Sequence, residues 1–337
     1  MEIKLPLAIP PLTGRMHIAF PLAIMLTKEH NKVWFYNHYI QMMCSNDYDE
    51  YGVLDYSFYV GSICNGWWNN PLLEVQFFKT DLIFKSKKDI LDFSINMLKD
   101  NYYILTQDLD YFRKKFLKKS RTSYHYIFGC NTKEKVFYTV GHQKGYYGNN
   151  QVSFKDFIDD MKTYTNQELV LLKVKESPLE IDLPFIRKQI HDYVYSRNSS
   201  EDLKVYQTLN TTFSYGLKTY DNIFNYFIKL LDGKVKNDIR IPYILWEHKN
   251  CMYLRLRYIN SNVFKINEDV LKYSKELVSK ASMIKNYTLR SIIEDNPKYI
   301  EKPLRKLEEL KREELKIMME LLDIIPERKD TNDEYCD

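Results

Sequence analysis

Apolar positions Ile90, Leu91, Phe93, Ile95, Met97 and Leu98 recur at helical spacing behind Asp89, so the pattern predicts a helix over residues 87–99. Upstream, residues 14–31 form an almost continuous apolar stretch behind Thr13, which reads as an N-cap. This predicts a buried helix that Pro21 should kink or confine to its C-terminal side. A second helix is expected over 33–43. Short aromatic runs at 56–60 and 74–78 read as strands, with Asn65-Gly66 and Asn69-Asn70 as turns. Strands are also expected at 102–106 and 169–174, and 152–154 reads as a strand feeding a helix over 155–161. Two further strands, 124–131 and 136–142, flank the polar turn Asn131-Thr132-Lys133-Glu134-Lys135 and make a hairpin.

Beyond Pro184 the period lengthens to amphipathic stretches at 185–195, 220–231, 242–258, 267–294 and 297–325, a helical region. In the last of these, Glu308, Glu309, Lys311, Arg312, Glu313 and Glu314 read as a solvated face. The fold class that follows is α+β, with helices against an antiparallel sheet and then a helical subdomain. Its divisions are a first domain over 1–176, the helical subdomain over 177–326 and a frayed tail over 327–337.

With 337 residues, 45% hydrophobic and 15% aromatic, the chain has enough apolar surface for a large core and is too apolar for disorder. A net charge of +4 from 49 basic and 45 acidic residues, interleaved along the chain, argues against nucleic acid as a partner. The run Arg113, Lys114, Lys115, Lys118, Lys119 reads as a solvated face. Cysteines 44, 64, 130, 251 and 336 show neither CxxC spacing nor a paired framework, so no zinc site or disulfide scaffold is expected. The glycines of 141–148 lack the strand-turn-helix setting of a phosphate loop, and neither cofactor nor metal is expected. Residues 1–6 lack the order of a secretory leader and no apolar run reaches membrane-spanning length, so the expectation is cytoplasmic residence without membrane association.

The segments Pro10-Pro11-Leu12-Thr13, His17-Ile18-Ala19-Phe20-Pro21-Leu22, Trp34-Phe35-Tyr36-Asn37-His38-Tyr39-Ile40-Gln41 and Tyr124-His125-Tyr126-Ile127-Phe128-Gly129 are together similar to the butirosin biosynthesis protein H-like family. The resemblance extends to Tyr215-Gly216-Leu217 and Glu247-His248-Lys249-Asn250-Cys251-Met252, so it spans most of the chain. It implies a papain-like domain over 1–176 with a helical companion. The activity it implies is transfer of an acyl group from a carrier-protein thioester to an amine in nonribosomal natural-product biosynthesis. Partners would be an acyl carrier protein or peptide synthetase and a small-molecule amine, and a homodimer stays open.

Such chemistry needs a thiolate at a helix N-terminus, a histidine base and a residue to orient the imidazole. His125 matches the base, but the nucleophile slot holds Arg15-Met16-His17 and the orienting slot holds Val140-Gly141-His142. Three readings follow. A degenerate member would bind a carrier, peptide or sister subunit without turnover. Alternatively, His17 and His125 face one another as paired acid and base. Finally, Cys64, or Cys44 from an apolar segment where an inert thiol is expected, supplies a substitute sulfur. Asp108 or Asp110 could orient a histidine, and Trp67, Trp68 and Met16 could line an apolar substrate groove. Against each stands a plainer structural role: a hydrogen-bonded core histidine, a packed tryptophan, a filled cleft.

Overall fold

A computed structural model describes residues 1–48, 53–59, 70–108, 125–143, 146–162, 167–200 and 213–327. Cys64, Trp67, Trp68, Asp110, the basic run of 113–119, Tyr124 and residues 328–337 with Cys336 lie outside the described residues. For Asp108 the description covers the backbone.

Along the chain come β1 (Glu2–Lys4), α1 (Met16–Met25), α2 (Lys32–Asn37), β2 (Met42–Ser45), β3 (Tyr56–Phe58), β4 (Leu73–Lys79) and α3 (Thr80–Ile83). They continue with α4 (Lys87–Lys99), β5 (Tyr103–Asp108), β6 (Tyr126–Asn131), β7 (Val136–Gln143), β8 (Tyr146–Ser153), α5 (Phe154–Lys162) and β9 (Gln167–Val174). After Pro178 follow α6 (Leu183–Val194), β10 (Phe213–Tyr215), α7 (Thr219–Leu231), α8 (Arg240–Asn262), α9 (Glu268–Ile293) and α10 (Glu301–Ile324). The protein is a mixed α+β chain with antiparallel sheets and a helical C-terminal region. No helix among the described residues is long and apolar enough to cross a membrane.

Two compact units emerge: Met1–Lys32 with Trp67–Pro178, and Val33–Gly66 with Leu179–Asp337. Residues 33–66, expected within the first domain, thus belong with the second unit. In the first unit the strand order is β4-β9-β5-β6-β7-β8, antiparallel throughout, and β1 pairs with β6. Leu169, Val170, Leu171 and Leu172 of β9 are all buried, as expected for a strand covered on both faces. Gly129 is required where β1 meets β6, because a Cβ there would lie 2.3 Å from the carbonyl oxygen of Ile3. The β6–β7 turn closes on Asn131, whose side chain accepts from the amides of Lys133 and Glu134.

Helix α4 begins at Ser86, whose hydroxyl accepts from the Asp89 amide while the Asp89 carboxylate accepts from that of Ser86. The expected helix over 14–31 is shorter and runs through Pro21. Pro21 lacks the N–H that would reach the His17 carbonyl, so the interruption falls in the first turn of the helix. At the other end the Thr27 hydroxyl donates to the Ile24 carbonyl and the Asn31 amide to that of Met25, which closes the helix early.

In the second unit β10, β2 and β3 form an antiparallel sheet accompanied by the helices α6 to α10. The helix expected over 33–43 stops at Asn37 and yields to strand β2. Tyr39 takes a left-handed φ of 61°, and tertiary partners hold the turn. Arg255, 0% exposed, donates to the carbonyls of Tyr36 and His38. The His248 Nε2 donates to that of Ile40 at 2.7 Å, and Gln189 donates to that of Asn37. Gly216 follows β10 with φ 53°, and a Cβ on it would lie 2.0 Å from the Tyr193 carbonyl oxygen.

Candidate functional site

The side chains proposed for chemistry in the first unit divide between the two faces of its sheet. Strand alternation puts Tyr103, Leu105 and Tyr126 on one face, where Phe20 of α1 meets the rings of Tyr103 and Tyr126 at 6.3 and 5.1 Å. The next residue back, His125, faces the other way. Its backbone pairs with Thr106, whose hydroxyl accepts from the His125 amide at 3.0 Å. Its ring lies 5.7 Å from that of Phe157 on α5, which also packs on Phe137. At 9% exposure, His125 is a buried ring on the α5 face.

Met16 and His17 open α1, the first half-buried and the second exposed. The structure therefore places His17 and His125 on opposite sides of the sheet and does not bring them to a common point. The histidine on the α1 face is His142 of β7, whose Nε2 donates to the Thr13 carbonyl at 2.6 Å. A carbonyl only accepts, so Nε2 is the donating nitrogen of this ring. Residue parity along 136–143 could have flagged it, since 138, 140 and 142 share a face.

The described cysteines, Cys44, Cys130 and Cys251, are all buried. Burial raises the Cys130 thiol, and it raises Cys251 well above the ordinary value. None of the three has the environment of a thiolate nucleophile. No group of three or more His, Cys, Asp or Glu among the described residues could hold a metal ion.

The densest chemistry lies in the second unit, in the buried polar cluster around Glu314. Glu314 belongs to the charged stretch that the sequence assigned to a solvated face, yet it is 0% exposed. The reason is register, because Leu307, Leu310, Glu314, Ile317 and Leu321 lie on one stripe of α10. Its Oε1 accepts from Lys249 Nζ at 2.5 Å, and its Oε2 accepts from Tyr220 at 2.6 Å and Tyr193 at 3.0 Å. Lys249, 2% exposed, spends its other hydrogens on His248 Nδ1 at 2.8 Å and Tyr193 Oη at 3.3 Å.

Each ring and hydroxyl in this cluster is held in its neutral form. Burial, then the Lys249 charge, pushes His248 well below the ordinary imidazole value. Burial, reinforced by the Glu314 charge, lifts Tyr56, Tyr193 and Tyr220 well above that of a free phenol. Burial lowers Lys249, with Glu314 opposing. Arg255 is drawn down to about 10 by burial, and His38 to about 4 by the same cause.

These residues are buried and hydrogen-bonded to one another, so the cluster supports the fold and is closed to a substrate. The second unit also carries an open cleft of about 320 Å3 lined by Asn46, Tyr48, Asn222, Ile228, Lys229 and Asp232, among others. There the Lys229 ammonium lies 4.0 Å over the Tyr48 ring. Its volume falls within the range of small-ligand clefts.

In comparisons with known proteins, no family model matches the chain and no curated protein matches it significantly.

Proposed function

We propose that this chain is a non-catalytic binding protein of nonribosomal natural-product biosynthesis, related to the butirosin H-like amide synthases and lacking their thiol chemistry. Its partner is an acyl carrier protein or the peptide synthetase that bears one, met in the cytoplasm. The observation that carries the reading is the separation of His125 from the start of α1. The strand histidine matching the family's base packs against Phe157, while α1 covers the opposite face and opens on Met16. A base on one side of a sheet cannot deprotonate a nucleophile on the other. The buried state of the described cysteines supports the same reading. Binding has a place in the open cleft beside Tyr48 and Lys229, where two lysines and three asparagines offer polar contacts to a carrier-linked arm.

A second reading, retained acyl transfer to an amine, is favoured by one observation. His142 lies on the α1 face, its Nε2 bonded to the Thr13 carbonyl, so a ring held in place there could orient an amine. Incubation of the protein with an acyl-loaded carrier protein and an amine, read by intact mass, separates the two. The expected result is a measurable carrier complex by calorimetry with neither amide product nor acyl-protein adduct. Amide product that disappears in His142→Ala would establish the second reading, and product that disappears in His125→Ala would overturn the facial argument itself.

A further inference from the structure

Beside the Glu314 cluster, α8, α9 and α10 enclose a small cavity of about 10 Å3. Its wall is largely hydrocarbon, including Met252, Leu277 and Met318, with Lys249, Glu314 and Ser274 as the polar lining. Ser274 is 4% exposed and its Oγ has no partner among the described residues. A hydroxyl left so inside a protein forfeits its hydrogen bonds to solvent without replacement.

The neighbours limit what can sit there. Lys249 has three hydrogens and three acceptors for them, so no donor is left for an anion. A metal cation would meet an ammonium and only one carboxylate, a donor set too small for any common ion. An organic ligand needs far more room. Glu314 Oε1 accepts a single bond, from Lys249, and so keeps a further acceptor site. A volume near one solvent molecule, an unspent serine hydroxyl and an unspent carboxylate lone pair together match a water.

We propose that a single internal water bridges the Ser274 hydroxyl to the Glu314 carboxylate, as an integral part of the buried ion-pair network. The water donates to Glu314 Oε1 and exchanges its second bond with Ser274 Oγ, completing the carboxylate's shell in an otherwise apolar wall. Ser274 thereby acts on Glu314 through the solvent molecule rather than by direct contact.

A high-resolution crystal structure of the full chain tests this directly. The expected result is an ordered solvent peak within about 3.2 Å of both Ser274 Oγ and a Glu314 carboxylate oxygen. Water oxygen-17 relaxation dispersion in solution gives a second readout, in which Ser274→Ala loses one long-lived internal water relative to the wild type. The proposal is overturned by a wild-type structure in which the cavity is dry and the Ser274 hydroxyl turns to a carbonyl of its own helix. An unchanged dispersion amplitude in folded Ser274→Ala overturns it equally.

Discussion

Replacing Glu314 by Gln removes one negative charge from the interior of the second unit at almost constant shape. Lys249 would then lose its counter-charge at 2% exposure and keep only neutral acceptors, those at 2.8 and 3.3 Å and the amide oxygen of the replacement. Deleting one partner of a buried ion pair typically costs about 3–5 kcal/mol. A separate route sets a ceiling. The lysine can release its proton, and doing so at pH 7 from an ordinary value of 10.5 costs about 5 kcal/mol. The two limits agree, so Glu314→Gln should lose about 3–5 kcal/mol at pH 7.

The pH dependence makes the test sharper. Wherever the folded lysine is neutral and the unfolded one is charged, the unfolded chain binds one more proton and stability rises with pH. In the variant that slope is about 1.4 kcal/mol per unit between pH 7 and 9. Urea titrations of both proteins across that range read it as a gap that narrows. A double variant, Lys249→Met with Glu314→Leu, replaces the pair by hydrocarbon and should recover most of the loss. A Glu314→Gln protein within about 1 kcal/mol of wild type at pH 7, or a gap that does not narrow, would refute the reasoning.

Three further outcomes follow from burial and backbone geometry. His38, lowered to about 4, and His248, lowered well below the ordinary value, are both neutral when folded, whereas their unfolded forms protonate near 6.5. Their stabilising contribution is complete above that value and lost below it, so stability should drop by about 2 kcal/mol between pH 6.5 and 5.5, and a flat denaturation midpoint would contradict it. Gly216→Ala, at φ 53° and blocked by Tyr193, should cost more than Gly233→Ala, which meets nothing at φ 68° and carries only the left-handed penalty of about 1–2 kcal/mol. Thermal melts that rank the two the other way would count against the Tyr193 contact. Cys44, Cys130 and Cys251 should resist iodoacetamide in the native protein and react in urea, and rapid native labelling of any of them by mass spectrometry would contradict their burial.

Much of the architecture could be read from spacing alone. The helix over 87–99 has both a regular apolar period and Ser86 with Asp89 at its start, two local signals that agree. Among the long C-terminal helices α9 has the same agreement, with Asn267 at its start. The segment 33–43 misled because its aromatic residues fit a helix, while the decisive partners, Arg255 and His248, lie some two hundred positions away. Of the resemblance motifs Trp34 to Gln41 and Glu247 to Met252, the second supplies His248, which proved to donate to the Ile40 backbone of the first. Glu314 was misassigned for a subtler reason. Its neighbours Glu313 and Arg312 are solvent-side residues, but its own position continues the stripe of Leu307, Leu310 and Ile317. An acidic residue on an apolar stripe, with Lys249 on the stripe of Leu245, Met252 and Leu256, is the signature of a buried pair. At His125 and His142 the strands themselves were legible, and the side each ring takes follows from counting by twos once one pairing is known.

The second unit is assembled from two stretches of sequence, with the bulk of the first unit inserted between them. During synthesis, strand β2 would therefore emerge long before β10, its antiparallel partner, and Cys44 must wait for Ser214. Closing so long an interval is entropically costly and slow, and it leaves a short apolar strand unsatisfied while the ribosome works. Cutting the gene at the apparent boundary near Pro178 would have a related effect: a fragment starting at Leu179 would carry every long C-terminal helix yet lack both strands that complete its sheet and the backbone carbonyls that Arg255 and His248 serve.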